Sequence, residues 1–138
     1  MKMPLLYLSW LVSTTAFLGS MYFSQILNLP PCSLCWWQRI FMFPLPIIYF
    51  LAFIKRDLNI YLYTFPLVTT GFVISIFHNL LYYGFIEKSF IPCSSGVSCT
   101  TVQLQWLGFI TIPFLSLIAF TFLFIINVLQ LIKQKETK

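Results

Sequence analysis

The stretch Cys32-Ser33-Leu34-Cys35-Trp36-Trp37-Gln38-Arg39 stands at the mouth of an apolar run that continues from Trp36 to Ile54. That run is close to the ~20 residues needed to cross a ~30 Å hydrocarbon core. Working outward, Leu5 to Leu27, Ile60 to Tyr83 and Gly108 to Ile132 are runs of similar length and character. All four are predicted to be helical, because lipid offers backbone polar groups no partner outside their own segment. The expected fold class is an all-α membrane protein. It is a four-helix transmembrane bundle with two extracytoplasmic loops that carry the cysteines, and one domain uses the whole of 1–138. In the second run Pro44 and Pro46 remove backbone donors and predict a kink there.

Composition supports this reading. Of 138 residues, 59% are hydrophobic and 8% charged, and the mean hydropathy of +0.90 leaves too little polar surface for a water-soluble fold. The first run follows Lys2 and contains the small residues Ala16, Gly19 and Ser20, yet it exceeds the ~7–15 apolar residues of a signal-peptide core and is read as retained. The formal charge of +5 comes from basic residues scattered at loop ends and termini rather than arrayed in a stripe, so no nucleic-acid partner is expected. Lys2, Lys55, Arg56, Lys133, Lys135 and Lys138 fall on one side and Lys88 on the other. Cytoplasmic loops carry the basic excess, which predicts cytoplasmic termini and places both cysteine pairs outside. Trp36, Trp37, Tyr82, Tyr83 and Trp106 then form an aromatic belt at the outer boundary.

Four cysteines on an oxidising side favour disulfides, with three connectivities open. Cys32 and Cys35 have the two-residue spacing of redox-active pairs, whereas Cys93 and Cys99 bracket Ser-Ser-Gly-Val-Ser. Each pair is expected to close on itself at rest. The plainer alternatives are ordinary staples or a zinc site of four thiolates. A helical bundle needs staples little, and the second pair is widely spaced for zinc, so no metal is expected. Pro31 opens the second helix and puts Cys32 and Cys35 at its positive end, where a thiolate is favoured. Cys35 is expected to be the more stabilised anion. Arg39 lies one turn deeper on the same face with no carboxylate on its own helix, so it calls for a thiolate, a ligand oxygen, a lipid phosphate or Glu87 as partner. His78, the sole histidine, is predicted at a similar depth on the third helix, either donating to a bound carbonyl or bonded to a neighbouring side chain. Gln38 is a weaker ligand candidate.

With Pro-Cys-x-Leu-Cys-x-x-Gln-Arg heading the second of four helices, the chain resembles the DsbB family of disulfide-bond formation proteins, in its short BdbC form. The second cysteine pair, the histidine near the outer end of the third helix, and Trp106-Leu107-Gly108 leading through Pro113 extend the resemblance over most of the chain. The resemblance implies a bacterial cell-membrane enzyme that reoxidises an extracytoplasmic thioredoxin-like thiol oxidase of the DsbA or BdbD kind. It further implies that electrons pass to a membrane quinone, menaquinone or ubiquinone. Carried onto this sequence, Cys93 would take the mixed disulfide, Cys99 would attack Cys32, and Cys35 would face the quinone beside Arg39, with His78 bordering the pocket. One departure is the second outer loop, about 24 residues from Gly84 to Leu107, shorter than in the longer family members. A vitamin K epoxide reductase-like enzyme fits less well, since its C-x-x-C follows the loop pair in chain order. A non-enzymatic subunit with stapled loops is the reading of a different class.

Overall fold

The computed structural model describes residues 2–28, 30–57, 59–85 and 111–136. Five helices account for most of them: α1 (Lys2–Gln25), α2 (Ser33–Met42), α3 (Pro44–Lys55), α4 (Ile60–Tyr82) and α5 (Ile112–Glu136). By length and apolarity they make four candidate membrane spans, with α2 and α3 sharing one from Ser33 to Lys55. The chain is thus an all-α four-helix membrane bundle.

The interruption of the second span falls at Phe43, immediately before the first of the two prolines. Phe43 N–H still donates to the Arg39 carbonyl at 2.8 Å. Pro44 and Pro46 have no N–H to continue the ladder, so the bonds that would reach back to Ile40 and Met42 are missing. Phe43 itself keeps helical dihedrals, φ −65° and ψ −35°.

Helix ends follow from local chemistry. Gly84, at φ +80°, closes α4: its N–H reaches the Leu81 carbonyl at 3.2 Å and the Phe85 N–H reaches that of Leu80 at 3.0 Å. This pair of bonds is the left-handed glycine cap expected after a helix. Arg56 takes the same conformation without being glycine, φ 52°, ending α3 with Asp57 N–H on the Ala52 carbonyl at 3.0 Å. The Asp57 carboxylate then accepts the Asn59 N–H at 2.9 Å, tightening the turn into α4. Helix α5 runs four residues beyond the predicted Ile132. Lys133 and Lys135 lie in its last turn, where straight-chain cations suit the helix and its negative end.

Packing divides the bundle into two halves. One half centres on Leu6, Leu45, Tyr49, Tyr61, Val68, Phe120 and Leu123. Gly71 lets α4 approach α5 there, since a Cβ at that position would overlap the Phe120 ring. Asn127 ties three helices together: it accepts from Thr64 Oγ1 at 2.8 Å and donates to the Tyr49 hydroxyl at 3.0 Å. The other half holds a smaller cluster of Cys32, Leu34 and Leu81, backed by Cys35, Ile74 and Phe77. Leu18, Ile47, Leu62, Tyr63 and Val73 point outward, the exposure expected of a lipid-facing surface. Gln134 bonds Asn59 at 2.9 Å, which brings the C-terminal end of α5 beside the basic α3–α4 turn.

Candidate functional site

Cys32 occupies the N-cap of α2 in extended backbone conformation, φ −72° and ψ 170°, and its carbonyl takes the Trp36 N–H at 3.1 Å. The next turn of helix brings Cys35 back alongside it. Both are thiols, with Sγ atoms 3.2 Å apart; Cys32 is buried and Cys35 half-buried. From α4, His78 approaches from behind, its Nε2 lying 3.8 Å from Cys32 Sγ. Gln38, one turn below Cys35, places its side-chain nitrogen 3.2 Å from His78 Nδ1. His78 is 1% exposed and Gln38 6%, so neither ring nor amide reaches solvent.

This arrangement differs from the expectation that Cys35 is the better-stabilised anion. Hydrogen bonds converge on Cys32 instead. The bond from the Cys35 thiol, and after it the bond from His78, pull the Cys32 thiol well below the usual thiol range, with burial opposing them. If Gln38 donates its amide N–H to Nδ1, the imidazole proton is left on Nε2, aimed at the Cys32 sulfur.

Arg39 is held by α1. Its Nε donates to Ser20 Oγ at 2.9 Å, Nη2 to the Ser20 carbonyl at 3.1 Å, and Nη1 to Ser24 Oγ at 3.5 Å. The guanidinium carbon also lies 5.7 Å from the centre of the Trp36 ring, within cation–π range. Neither serine was singled out as a partner in the sequence. The available signal was their spacing of four, which puts both hydroxyls on one face of α1 near its outer end. Nothing in the chain order says that this face meets Arg39.

Between α1, α2 and α5 lies a cavity of about 510 Å³. Leu11, Val12, Phe23, Leu115, Ile118 and Phe122 make most of its wall apolar, and Thr15, Ser20, Cys35, Gln38, Arg39 and Ser116 are the polar residues on it. Thus Cys35, Gln38 and Arg39 face one cavity. His78 is not part of its lining and stands on the far side of Gln38 and Cys32. Cys93, Cys99, Glu87 and Trp106 lie outside the described residues.

A dithiol beside a large apolar cavity, with a fixed cation on its wall, can exchange disulfides on one side and serve a lipid-soluble molecule on the other. Comparison with known proteins agrees with the first half of that statement. The family model described as "Disulfide bond formation protein DsbB" matches residues 2–130. "Disulfide bond formation protein C" of Bacillus subtilis is 45% identical over 124 residues, 90% of each chain. "Probable disulfide formation protein C" of Halalkalibacterium halodurans is 42% identical over 131 residues, 92% of each chain. The "SPbeta prophage-derived disulfide bond formation protein B" of Bacillus subtilis is 35% identical over 122 residues, covering 88% of this chain and 81% of its own. No solved structure matches.

Proposed function

The chain belongs to the DsbB family, multi-pass membrane oxidoreductases of disulfide-bond formation, and from that premise we propose that it carries electrons from an extracytoplasmic thioredoxin-like dithiol oxidase to a membrane quinone. The observation that carries this reading is the position of Cys35 and Arg39 on the wall of one apolar cavity. Pockets for small molecules are mostly apolar with a few placed polar groups, and of roughly 300–1,000 Å³. The cavity's 510 Å³ is within that range, and its apolar wall suits a flat ring and an isoprenoid tail. The Arg39 N–H groups not engaged with α1 and the Ser20 hydroxyl supply donors for the carbonyl oxygens. A bound quinone accepts two electrons and two protons, the same number that a dithiol gives up in closing to a disulfide.

The chain's own residues divide the remaining work. Cys93 takes the partner's thiolate, forming a mixed disulfide and releasing Cys99. Cys99 attacks Cys32 Sγ and expels Cys35 as a thiolate at the cavity wall. Arg39, held by Ser20 and Ser24, keeps positive charge near that sulfur. When the partner's second thiolate leaves with its disulfide and Cys93 recloses on Cys99, Cys32 departs as a thiolate. His78 stabilises that leaving group, held in place by Gln38. In this reading Gln38 joins the two sides, and His78 serves the sulfur instead of the quinone. The sequence forms one functional unit from 1 to 138.

Both termini and the Lys55-Arg56 turn are cytoplasmic in this account, with the α2 dithiol outside. Support comes from the bond between Gln134 and Asn59, which gathers the basic ends at one face of the bundle. Impermeant thiol reagents on intact cells check it: a cysteine placed at position 2 should be protected, and modification there would reverse the orientation.

Turnover tests the whole reading. Protein in detergent, mixed with a reduced thioredoxin-like dithiol oxidase and either menaquinone or ubiquinone analogue, should produce one quinol per disulfide formed, and Cys35→Ser should stop it. Disulfide formation without quinol would remove the quinone from the account.

A further inference from the structure

Cys32 Sγ, Cys35 Sγ and a ring nitrogen of His78 lie within 4.8 Å of one another. The two sulfurs are 3.2 Å apart, and Cys32 Sγ is 3.8 Å from His78 Nε2. Tetrahedral zinc, with Zn–S ~2.3 Å and Zn–N ~2.0–2.1 Å, separates such ligand atoms by roughly 3.5–3.8 Å. The two separations that involve Cys32 are within about 0.6 Å of those values, and Cys35 Sγ, no more than 4.8 Å from the ring nitrogen, closes on it by about 1 Å for the three atoms to surround one ion. Sequence spacing considered zinc on four thiolates and found the second pair too wide. It had no way to bring in a histidine 46 residues away on another helix.

We infer that the reduced Cys32–Cys35 pair, together with His78, is a binding site for a thiophilic d¹⁰ cation such as Zn²⁺, and that such an ion traps the protein in its dithiol state. Ligand chemistry supports it, because two thiolates and an imidazole are a known donor set for a zinc that keeps one position open. Charge also balances: two thiolates neutralise a divalent ion in a site where Cys32 and His78 are nearly inaccessible. Gln38 supplies the supporting contact that ligating histidines usually have at the other ring nitrogen. With the ion on Nε2, Nδ1–H donates to the Gln38 carbonyl oxygen, which needs only the opposite orientation of that amide.

The redox consequence is one-sided. A closed Cys32–Cys35 disulfide has no thiolate to offer, so only the reduced protein binds. Binding displaces thiol protons and changes no oxidation state. While the ion is held, neither sulfur can attack or be oxidised, and zinc outside the cell would act as a reversible brake on disulfide formation. The binding claim stands on the three ligand atoms alone and does not depend on what occupies the neighbouring cavity.

The test uses full-length protein in detergent carrying Cys93→Ser and Cys99→Ser, so that loop thiols cannot contribute. Zn²⁺ as its chloride is titrated against a chromophoric chelator, with the Cys32–Cys35 pair either reduced or closed. Co²⁺ replaces it in a parallel titration read by thiolate-to-metal charge-transfer absorption. The reduced protein should take up one equivalent and the oxidised protein none, and Co²⁺ should show the thiolate band only in the reduced form. His78→Gln should weaken zinc binding at least about 10-fold. Equal uptake by both redox states, no uptake by the reduced state, or unchanged affinity in His78→Gln would overturn the proposal. The redox comparison needs no substitution at the site, so it decides the matter even if His78→Gln does not fold.

Discussion

Replacing Arg39 by glutamine removes the one fixed positive charge that the described residues place on the cavity wall. In the site described above its loss acts twice. One part is the lost attraction for negative charge on Cys35, and the other is the lost donor to a quinone oxygen. At about 1.4 kcal/mol each, the two together lower the rate at limiting quinone ~100-fold. Arg39→Lys keeps the charge but cannot span Ser20 Oγ, the Ser20 carbonyl and Ser24 Oγ with a fork, so only part of the rate returns. Ser20→Ala separates holding from charge. It deletes a hydrogen bond to a charged group, worth ~1.5–3 kcal/mol where the partner is left unpaired. Because the Ser20 carbonyl at 3.1 Å remains, the lower end applies, about 10-fold. That loss should fall on the KM for quinone with kcat near normal, since the guanidinium is still present but less well aimed. The assay is steady-state quinol formation over a range of quinone concentrations, with the dithiol donor saturating. Normal KM and kcat in Arg39→Gln would make Arg39 a structural anchor between α1 and α2 and refute the reasoning.

Three other outcomes follow from the same geometry. Cys99→Ser removes the thiolate that resolves the first mixed disulfide, so a Cys93-linked adduct with the extracytoplasmic oxidase should accumulate on non-reducing gels. A trapped bond through Cys32 would exchange the roles of the two pairs. Gly71→Leu should cost ~1–3 kcal/mol through overlap with Phe120, seen as a lower thermal midpoint in detergent and partly restored by Phe120→Ala; an unchanged midpoint would mean that α4 and α5 are not in close contact there. In the reduced protein the Cys32 thiolate should persist as pH falls below the ordinary thiol range. His78→Ala should move its loss to higher pH in an ultraviolet thiolate titration, because one of the groups that favours the anion is gone; an unmoved midpoint would separate His78 from Cys32.

Much of the bundle was legible because lipid imposes a one-dimensional rule. Apolar runs of about twenty residues with polar ends marked the spans to within a few residues, and Pro44 and Pro46 marked where the second would break. The extension of α5 to Glu136 was missed because lysines end an apolar run without ending a helix. The site was legible in its members but not in its wiring. Cys32, Cys35, Gln38 and Arg39 share one helix, so spacing alone placed them together. The Ser20 and Ser24 contacts of Arg39, and the approach of His78 to Cys32, join different helices and depend on how those helices rotate against one another. Gln38 read as a boundary residue or weak ligand, since only packing reveals that it touches both the cavity and the histidine.

The central claim is that the cavity between α1, α2 and α5 is where the electron acceptor sits. A photoactivatable quinone analogue, crosslinked to the oxidised protein and mapped by mass spectrometry, tests it directly. Label should appear on α1 between Gly19 and Phe23 and on α5 between Leu115 and Phe122, and excess unlabelled quinone should suppress it. Competable label confined to α3 and the outer face of α4, away from Cys35 and Arg39, would contradict the account.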